Sequence, residues 1–387
     1  MNPRLRHIKP FFAMEIMELA QELEAAGHSV MHLELGEPDF PCPACVQEAA
    51  TRAIREGRAP YTHSLGIPAL REEICRRYGE RYGVQLQPDQ VLVTSGTSAG
   101  LLLALSVLVA PGQEVLLSDP HYACYPNFVH EVGGVPRCLP VAARVNFQFD
   151  IDALRAHLRR DTAALLINSP ANPTGCVTPP ELLAQLAKLP VPLIADEIYH
   201  GLVYEGPCRS ILEFTEEAFV LNGFSKLFAM PGWRLGFLIA PPRSMRDLRT
   251  LQQNLFISAG SVAQQAALAA LRHAGEDVAR MVRTYDERRR YLLAALPDLG
   301  FSIAGEPRGA FYVFARIDAF SQDSLAFARE LLVEAGVAVA PGIDFGSCGE
   351  GHLRFSYANS LENLREAMRR LKTYLARRQP TSPGVAS

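Results

Sequence analysis

The chain has 387 residues and almost no net charge, with 38 basic against 41 acidic side chains leaving −3. That balance gives no electrostatic footing for nucleic acid or an anionic membrane as a general partner. No long apolar run is present: the strongest, LLLALSVLVA at 101–110, is about half the length of a spanning helix. A signal-peptide core is missing as well, because the basic start MNPRLRHIKP leads into FFAMEIMELA, whose glutamates interrupt it. The eight cysteines are scattered, and only Cys42-Pro-Ala-Cys45 has motif spacing. Neither a second CxxC nor a His-x-x-x-His completes a zinc site, so no metal is expected. The pair follows the loop Gly36-Glu-Pro-Asp-Phe-Pro41, not a strand of a small βαβ unit, and reads as coincidence. No repeat of solenoid period is visible. These absences leave a soluble, cytoplasmic protein.

What is present suits a large core. Hydrophobic residues make up 48% of the chain, which disfavours global disorder. The middle alternates β-rich runs (91–94, 114–118, 163–168, 191–196, 219–223, 235–240) with helical stretches at 98–109, 151–159 and 180–188. Such alternation with apolar strands predicts an α/β fold with a mostly parallel sheet covered on both faces. From about 276 to 375 charged helices dominate, with short strands at 310–315 and 351–356, predicting a smaller α+β domain. The expected division is an N-terminal segment at 1–45 that joins the smaller domain and covers the site, a large domain at 46–275, a small one at 276–375, and a disordered tail at 376–387.

Ligands of open parallel sheets bind beyond the carboxyl ends of the strands, and unusual polar residues recur there. Ser95-Gly-Thr-Ser98 follows the first run, Asp119-Pro-His-Tyr122 the second and Asn172-Pro-Thr-Gly175 the third. Asp196 closes the fourth, and Ser225-Lys226 follows the fifth. Each has an ordinary alternative: an N-cap at Ser98, an ion pair at Asp196, turn chemistry at Asn172, a core aromatic at Tyr122. Lys226 and Arg234, however, lie in the apolar stretch LNGFSKLFAMPGWRLGF, where unpaired cations are costly. A lysine shielded among cations is pushed toward its neutral, nucleophilic form. Schiff-base chemistry on pyridoxal phosphate requires such a lysine, a phosphate cradle, an acid for the ring nitrogen and an aromatic surface.

An ordered set of motifs carries a resemblance over nearly the whole chain: LELGEPDFPCP, YTHSLGIPALREEI, VLVTSGTSAG, NSPANPTG, ADEIYHGLVYEG, NGFSKLFAMPGWRLGF, GAFYVF, GVAVAPGIDFG and LRFSYANS. The chain resembles the fold type I, class I/II pyridoxal-phosphate-dependent aminotransferases, most closely the bacterial aspartate and aromatic aminotransferase-like group. The resemblance implies that Lys226 forms the Schiff base and moves protons, Asp196 pairs with the ring nitrogen, and Tyr199 and Asn172 bond the ring's phenolic oxygen. It implies that Tyr122 stacks on the ring, while Gly96, Thr97, Ser98, Ser225 and Arg234 hold the phosphate. Tyr61 would reach the neighbouring site of a homodimer. Arg354, helped by Asn172 and the Gly36 backbone, would grip the substrate carboxylate. The implied reaction moves an amino group from an amino acid to a 2-oxo acid.

In aspartate-preferring members of this group the N-terminal segment often reads KPS-x-T, and a lysine occurs in the phosphate-loop motif. Here the segment is Lys9-Pro10-Phe11-Phe12-Ala13-Met14, and the loop has Ser98. The expectation is therefore a donor with a neutral or aromatic side chain. A β-lyase or aminocyclopropane-carboxylate-synthase-like enzyme of the same fold is the alternative. A sensor domain is disfavoured because no helix-turn-helix segment precedes the first motif.

Overall fold

In the computed structural model, residues 3–378 are described. Seven strands form the larger sheet: β2 (Val91–Thr94), β3 (Glu114–Asp119), β4 (Val135–Pro140), β5 (Thr162–Asn168), β6 (Leu193–Asp196), β7 (Phe219–Gly223) and β8 (Gly236–Ile239), in the order β2-β8-β7-β6-β5-β3-β4. Pairing is parallel from β4 through β7, while β8 runs antiparallel to both β7 and β2. Two reversals restore the direction, so the carboxyl ends of β2, β3, β5, β6 and β7 share one rim.

Both faces of this sheet are buried, as parallel pairing demands. Alternate residues serve opposite faces. Val91, Val93, Leu165, Ile167, Leu193 and Val220 pack under α2 (Ala44–Arg55), α3 (Pro68–Tyr82), α7 (Pro180–Leu186) and α9 (Ser261–His273). Leu92, Val115, Leu117, Leu166, Ile194 and Leu221 pack on the other side against α4 (Thr97–Leu108), α5 (Tyr125–Glu131) and α8 (Met245–Leu255). The short α6 (Ile151–His157) is capped by Asp150, whose carboxylate accepts from the Asp152 and Ala153 amides.

The second sheet has the order β1-β11-β12-β10-β9, built from β1 (Met31–Leu33), β9 (Ser302–Ile303), β10 (Tyr312–Arg316), β11 (Val337–Pro341) and β12 (His352–Ser356). Its core joins α1 (Phe12–Ala25), α10 (Gly275–Asp298), α11 (Ser324–Ala335) and α12 (Leu361–Arg377). Because β1 pairs with β11, the N-terminal segment is part of this sheet. Helix α12 continues to Arg377, past the boundary drawn at 375, since Tyr374 and Leu375 of its last turn still pack against the second core. The rest of the expected tail, from residue 379, lies outside the described residues.

Candidate active site

The shared rim opens into a cleft of about 290 Å³ between the two sheets. Of the residues singled out from sequence, Gly36, Thr97, Ser98, Tyr122, Asn172, Asp196, Tyr199, Ser225, Lys226, Arg234 and Arg354 line it. Gly96 stands just behind, against Arg234. Tyr61 does not line the cleft; it is 82% exposed between α2 and α3.

At the β2–α4 junction Gly96 is the N-cap, with φ +84°, a conformation that L side chains rarely adopt. A Cβ there would sit 2.8 Å from Arg234 Nη2. The alternative of an N-cap at Ser98 is thereby overturned: the helix starts at Thr97, because the left-handed turn that leads into it falls at Gly96, where a side chain would be strained. No side chain caps this helix, so its first amides are free for an anion, favoured there by the helix dipole. The Ser225 hydroxyl and the Arg234 fork complete a donor set suited to a dianion.

Asp196, the last residue of β6, is buried. It accepts hydrogen bonds from Tyr125 Oη (2.8 Å) and the Ile198 amide (3.1 Å). Burial raises its pKa to about 6, while those two bonds and the nearby Lys226 ammonium oppose the shift. Asn168, at the end of β5, fixes the backbone on both sides of this strand end. Its Nδ2 donates to the Asp196 carbonyl (2.9 Å), and its Oδ1 accepts from the Asn172 amide (2.8 Å).

Lys226 sits in the connection from β7 to β8, anchored by the buried neighbours Phe224 and Met230. Its Nζ donates to the Gly36 carbonyl at 2.6 Å. Burial lowers its pKa to about 8; Glu37 opposes that shift, and Arg354 and Arg234 add to it. The stretch around it is less uniformly buried than its composition predicts: Gly232 and Arg234 are exposed, because the chain turns out toward the cleft mouth.

Arg354 is on β12, only 2% exposed. Its Nη1 donates to Asn172 Oδ1 (2.9 Å) and its Nη2 to the Glu34 carbonyl. The guanidinium is 4.4 Å from the Tyr312 ring centroid and 4.8 Å from that of Phe345. Nε has no partner. A buried cation without a carboxylate partner within hydrogen-bond reach is a ready site for one.

Sequence reasoning missed three residues that shape the cleft. Tyr125, three positions after Tyr122, holds Asp196. Asn168 was hidden inside a run read only as a strand. Tyr312 donates to or accepts from the Tyr199 hydroxyl at 2.8 Å, and in the run GAFYVF it is indistinguishable from a core aromatic. A Cβ at Gly36 would overlap the Tyr312 hydroxyl, so that glycine is required by close approach.

The sequence profile "Aminotransferase class I and II" matches residues 28–371. The chain belongs to the class I and II aminotransferases. This aminotransferase is 42% identical over 380 residues to a (5-formylfuran-3-yl)methyl phosphate transaminase of Methanocaldococcus jannaschii, covering 97% of this chain and 99% of that one. It is 37% identical to an aspartate/prephenate aminotransferase of Thermus thermophilus, covering 97% and 99%. A solved Thermus thermophilus aspartate aminotransferase with maleate superimposes with a TM-score of 0.93 at 36% identity, covering 97% and 99%. The family's cofactor is pyridoxal phosphate.

The residues present fit that cofactor. The uncapped α4 amides and the Arg234 fork suit its phosphate, and the buried Asp196 carboxylate suits a protonated ring nitrogen. Bound there, pyridoxal phosphate supplies a carbonyl that condenses with amines and a ring that accepts the electron pair released at the substrate Cα.

Proposed function

We propose that this pyridoxal-phosphate-dependent aminotransferase takes its amino group from an L-amino acid with a neutral or aromatic side chain and passes it to a 2-oxo acid. In this reading Thr97, Ser98, Ser225 and Arg234 hold the cofactor phosphate, with Gly96 leaving room for the clamp. Asp196 stays ionised against the ring nitrogen, Tyr199 and Asn172 face the ring's oxygen, and Tyr122 covers its face. Arg354 receives the substrate carboxylate through its fork, aided by Asn172 and by the Gly36 backbone. Lys226, with its lowered pKa, accepts the proton from the substrate Cα as general base and returns one as general acid.

The observation that carries the preference is the assignment of charge in the lining. Its cations are Lys226, Arg234 and Arg354, and each already has a role. No further cation of this lining is left for a side-chain carboxylate, while Phe11, Ala13, Met14 and Ile198 present apolar surface. A desolvated carboxylate without a partner would bind poorly. Initial rates with phenylalanine, leucine, methionine and aspartate test this. The first three are expected to exceed aspartate by roughly tenfold or more, one unpaired polar group being worth at least that in kcat/KM; a dominant aspartate rate overturns it.

The proposed assembly is a homodimer in which Tyr61 completes the neighbouring site. Its support is the large exposed aromatic surface of Tyr61, with exposed Ile54, Leu255 and Ile257 as further apolar surface. No described helix is long and apolar enough to cross a membrane. All eight cysteines are free thiols, which supports a cytoplasmic location.

A further inference from the structure

One buried acid outside the assigned site touches three walls of the cleft through a single short turn. Residues Gly342–Phe345 form a 3-10 turn after β11. Asp344 in this turn is buried, and its two oxygens accept from the amides of Phe12 (2.8 Å) and Ala13 (2.7 Å). These are the first two amides of α1, which has no side-chain cap of its own. Asp344 therefore supplies from 331 residues away the acceptors that a local Ser or Asp ordinarily provides, and its charge suits the helix N-terminus.

The next residue serves the other walls. The Phe345 ring lies under the Arg354 guanidinium at 4.8 Å. Its carbonyl accepts from the His121 amide at 2.9 Å, next to Tyr122. The start of α1 has two other described polar tethers: Lys9 exchanges two main-chain hydrogen bonds with the Asn127 side chain, both at 3.1 Å, and Arg329 of α11 donates to exposed Glu15 at 3.3 Å. Phe11, Ala13 and Met14 of this start line the cleft. The Phe11 ring meets Tyr122 edge-on, with centroids 6.3 Å apart.

We propose that Asp344 is a positioning residue for substrate side-chain selection: it caps α1 from the turn after β11 and so fixes the Phe11–Met14 wall at a set distance from Arg354. Arg354 holds the carboxylate common to all substrates. The wall meets only what extends beyond Cα. One turn thus sets the spacing between the group that binds every amino acid and the surface that discriminates among them. The preference for apolar side chains underlies this inference, but the two are tested separately.

The experiment measures single-turnover kcat/KM of the holoenzyme with phenylalanine and with alanine, whose methyl group does not reach far from Cα. Wild type is compared with Asp344→Ala, Asp344→Asn and the double variant Phe11→Ala/Met14→Ala. Any effect passing through Arg354 or through general loosening lowers both substrates and cancels in the phenylalanine-to-alanine ratio. The expected result is a ratio about tenfold lower in Asp344→Ala, as expected for losing a cap-sized interaction. The double variant should show a similar fall. Asp344→Asn, which keeps one acceptor, should fall between and serves as the reading if the alanine variant does not fold. A changed ratio in the double variant with an unchanged ratio in both Asp344 variants overturns the positioning role. An unchanged ratio in the double variant overturns the wall itself. Failure of the apolar preference shows separately, as faster turnover of aspartate by the wild type.

Discussion

At Asp196, burial and hydrogen bonding act in opposite directions. Desolvation pushes the carboxyl pKa up to about 6, and the Tyr125 hydroxyl is the first of the groups that restrain it. Removing that hydroxyl takes away a bond to the charged form, so the pKa must rise further. The carboxylate is the form that can pair with a protonated ring nitrogen. Tyr125→Phe is therefore expected to shift the acid limb of the kcat/KM–pH profile upward by about one unit, the equivalent of one charge-assisted hydrogen bond of about 1.4 kcal/mol; an unmoved limb would show that Tyr125 does not tune this acid. Single residues were legible in proportion to how odd they looked in line. Lys226 in an apolar stretch and Asp196 at the end of an apolar strand announced a cost. Tyr125 and Asn168 did not, because a tyrosine in a helix and an asparagine at a strand end are ordinary until their partners are known.

The elements divide in a similar way. The strands of the large sheet that are buried on both faces were readable as apolar runs. Strand β4, VPRCLP, was not: it carries two prolines and an arginine and is tolerated as an edge, where unpaired amides are not missed. Strands β1 and β11 pair with each other from opposite ends of the chain and β9 is only two residues long, so their short runs carry no period of their own. For β1 the hold is partly electrostatic. His32 Nδ1 is 2.8 Å from Glu34 and its Nε2 3.2 Å from Glu24 on α1. These carboxylates raise its pKa from 6.5 to about 9, the Glu34 hydrogen bond contributing most. A folded-state pKa above the unfolded one means that the stabilisation is complete below about pH 6.5 and is lost as pH rises through 9. His32→Gln should therefore lower stability by roughly 1–2 kcal/mol at pH 6, after discounting for solvent screening. By pH 10 wild type and variant should unfold alike in thermal or denaturant titrations. An equal loss at both pH values would assign the effect to packing instead.

For the whole molecule, the two-sheet division followed from where alternation gives way to charged helices, but the cleft between the sheets did not. Arg354 and Asn172 are 182 residues apart and meet at 2.9 Å; no local pattern encodes that meeting. The proposed dimer is testable at this scale. A chain with Lys226→Ala and a chain with Tyr61→Ala should each be nearly inactive alone. Unfolded together and refolded, mixed dimers would contain one site with an intact lysine from one chain and an intact tyrosine from the other. Activity should then appear on mixing, measured as amino acid turnover with sedimentation to count the dimers. No recovery in assembled mixed dimers would place Tyr61 outside the neighbouring site.

The connection between β7 and β8 has a mechanical consequence. Lys226 and Arg234 lie on one short span whose two ends enter adjacent strands of the same sheet. Buried Phe224, Phe228 and Met230 fasten its middle to the core. Thermal displacement of the span therefore carries both cations in the same direction, as two marks on one ruler move together. The interval between the amine and the guanidinium should therefore vary less than the distance of either to the second sheet. Wear on this enzyme should accordingly show first in the approach of the second sheet, with its Arg354, and last in the interval between Lys226 and Arg234.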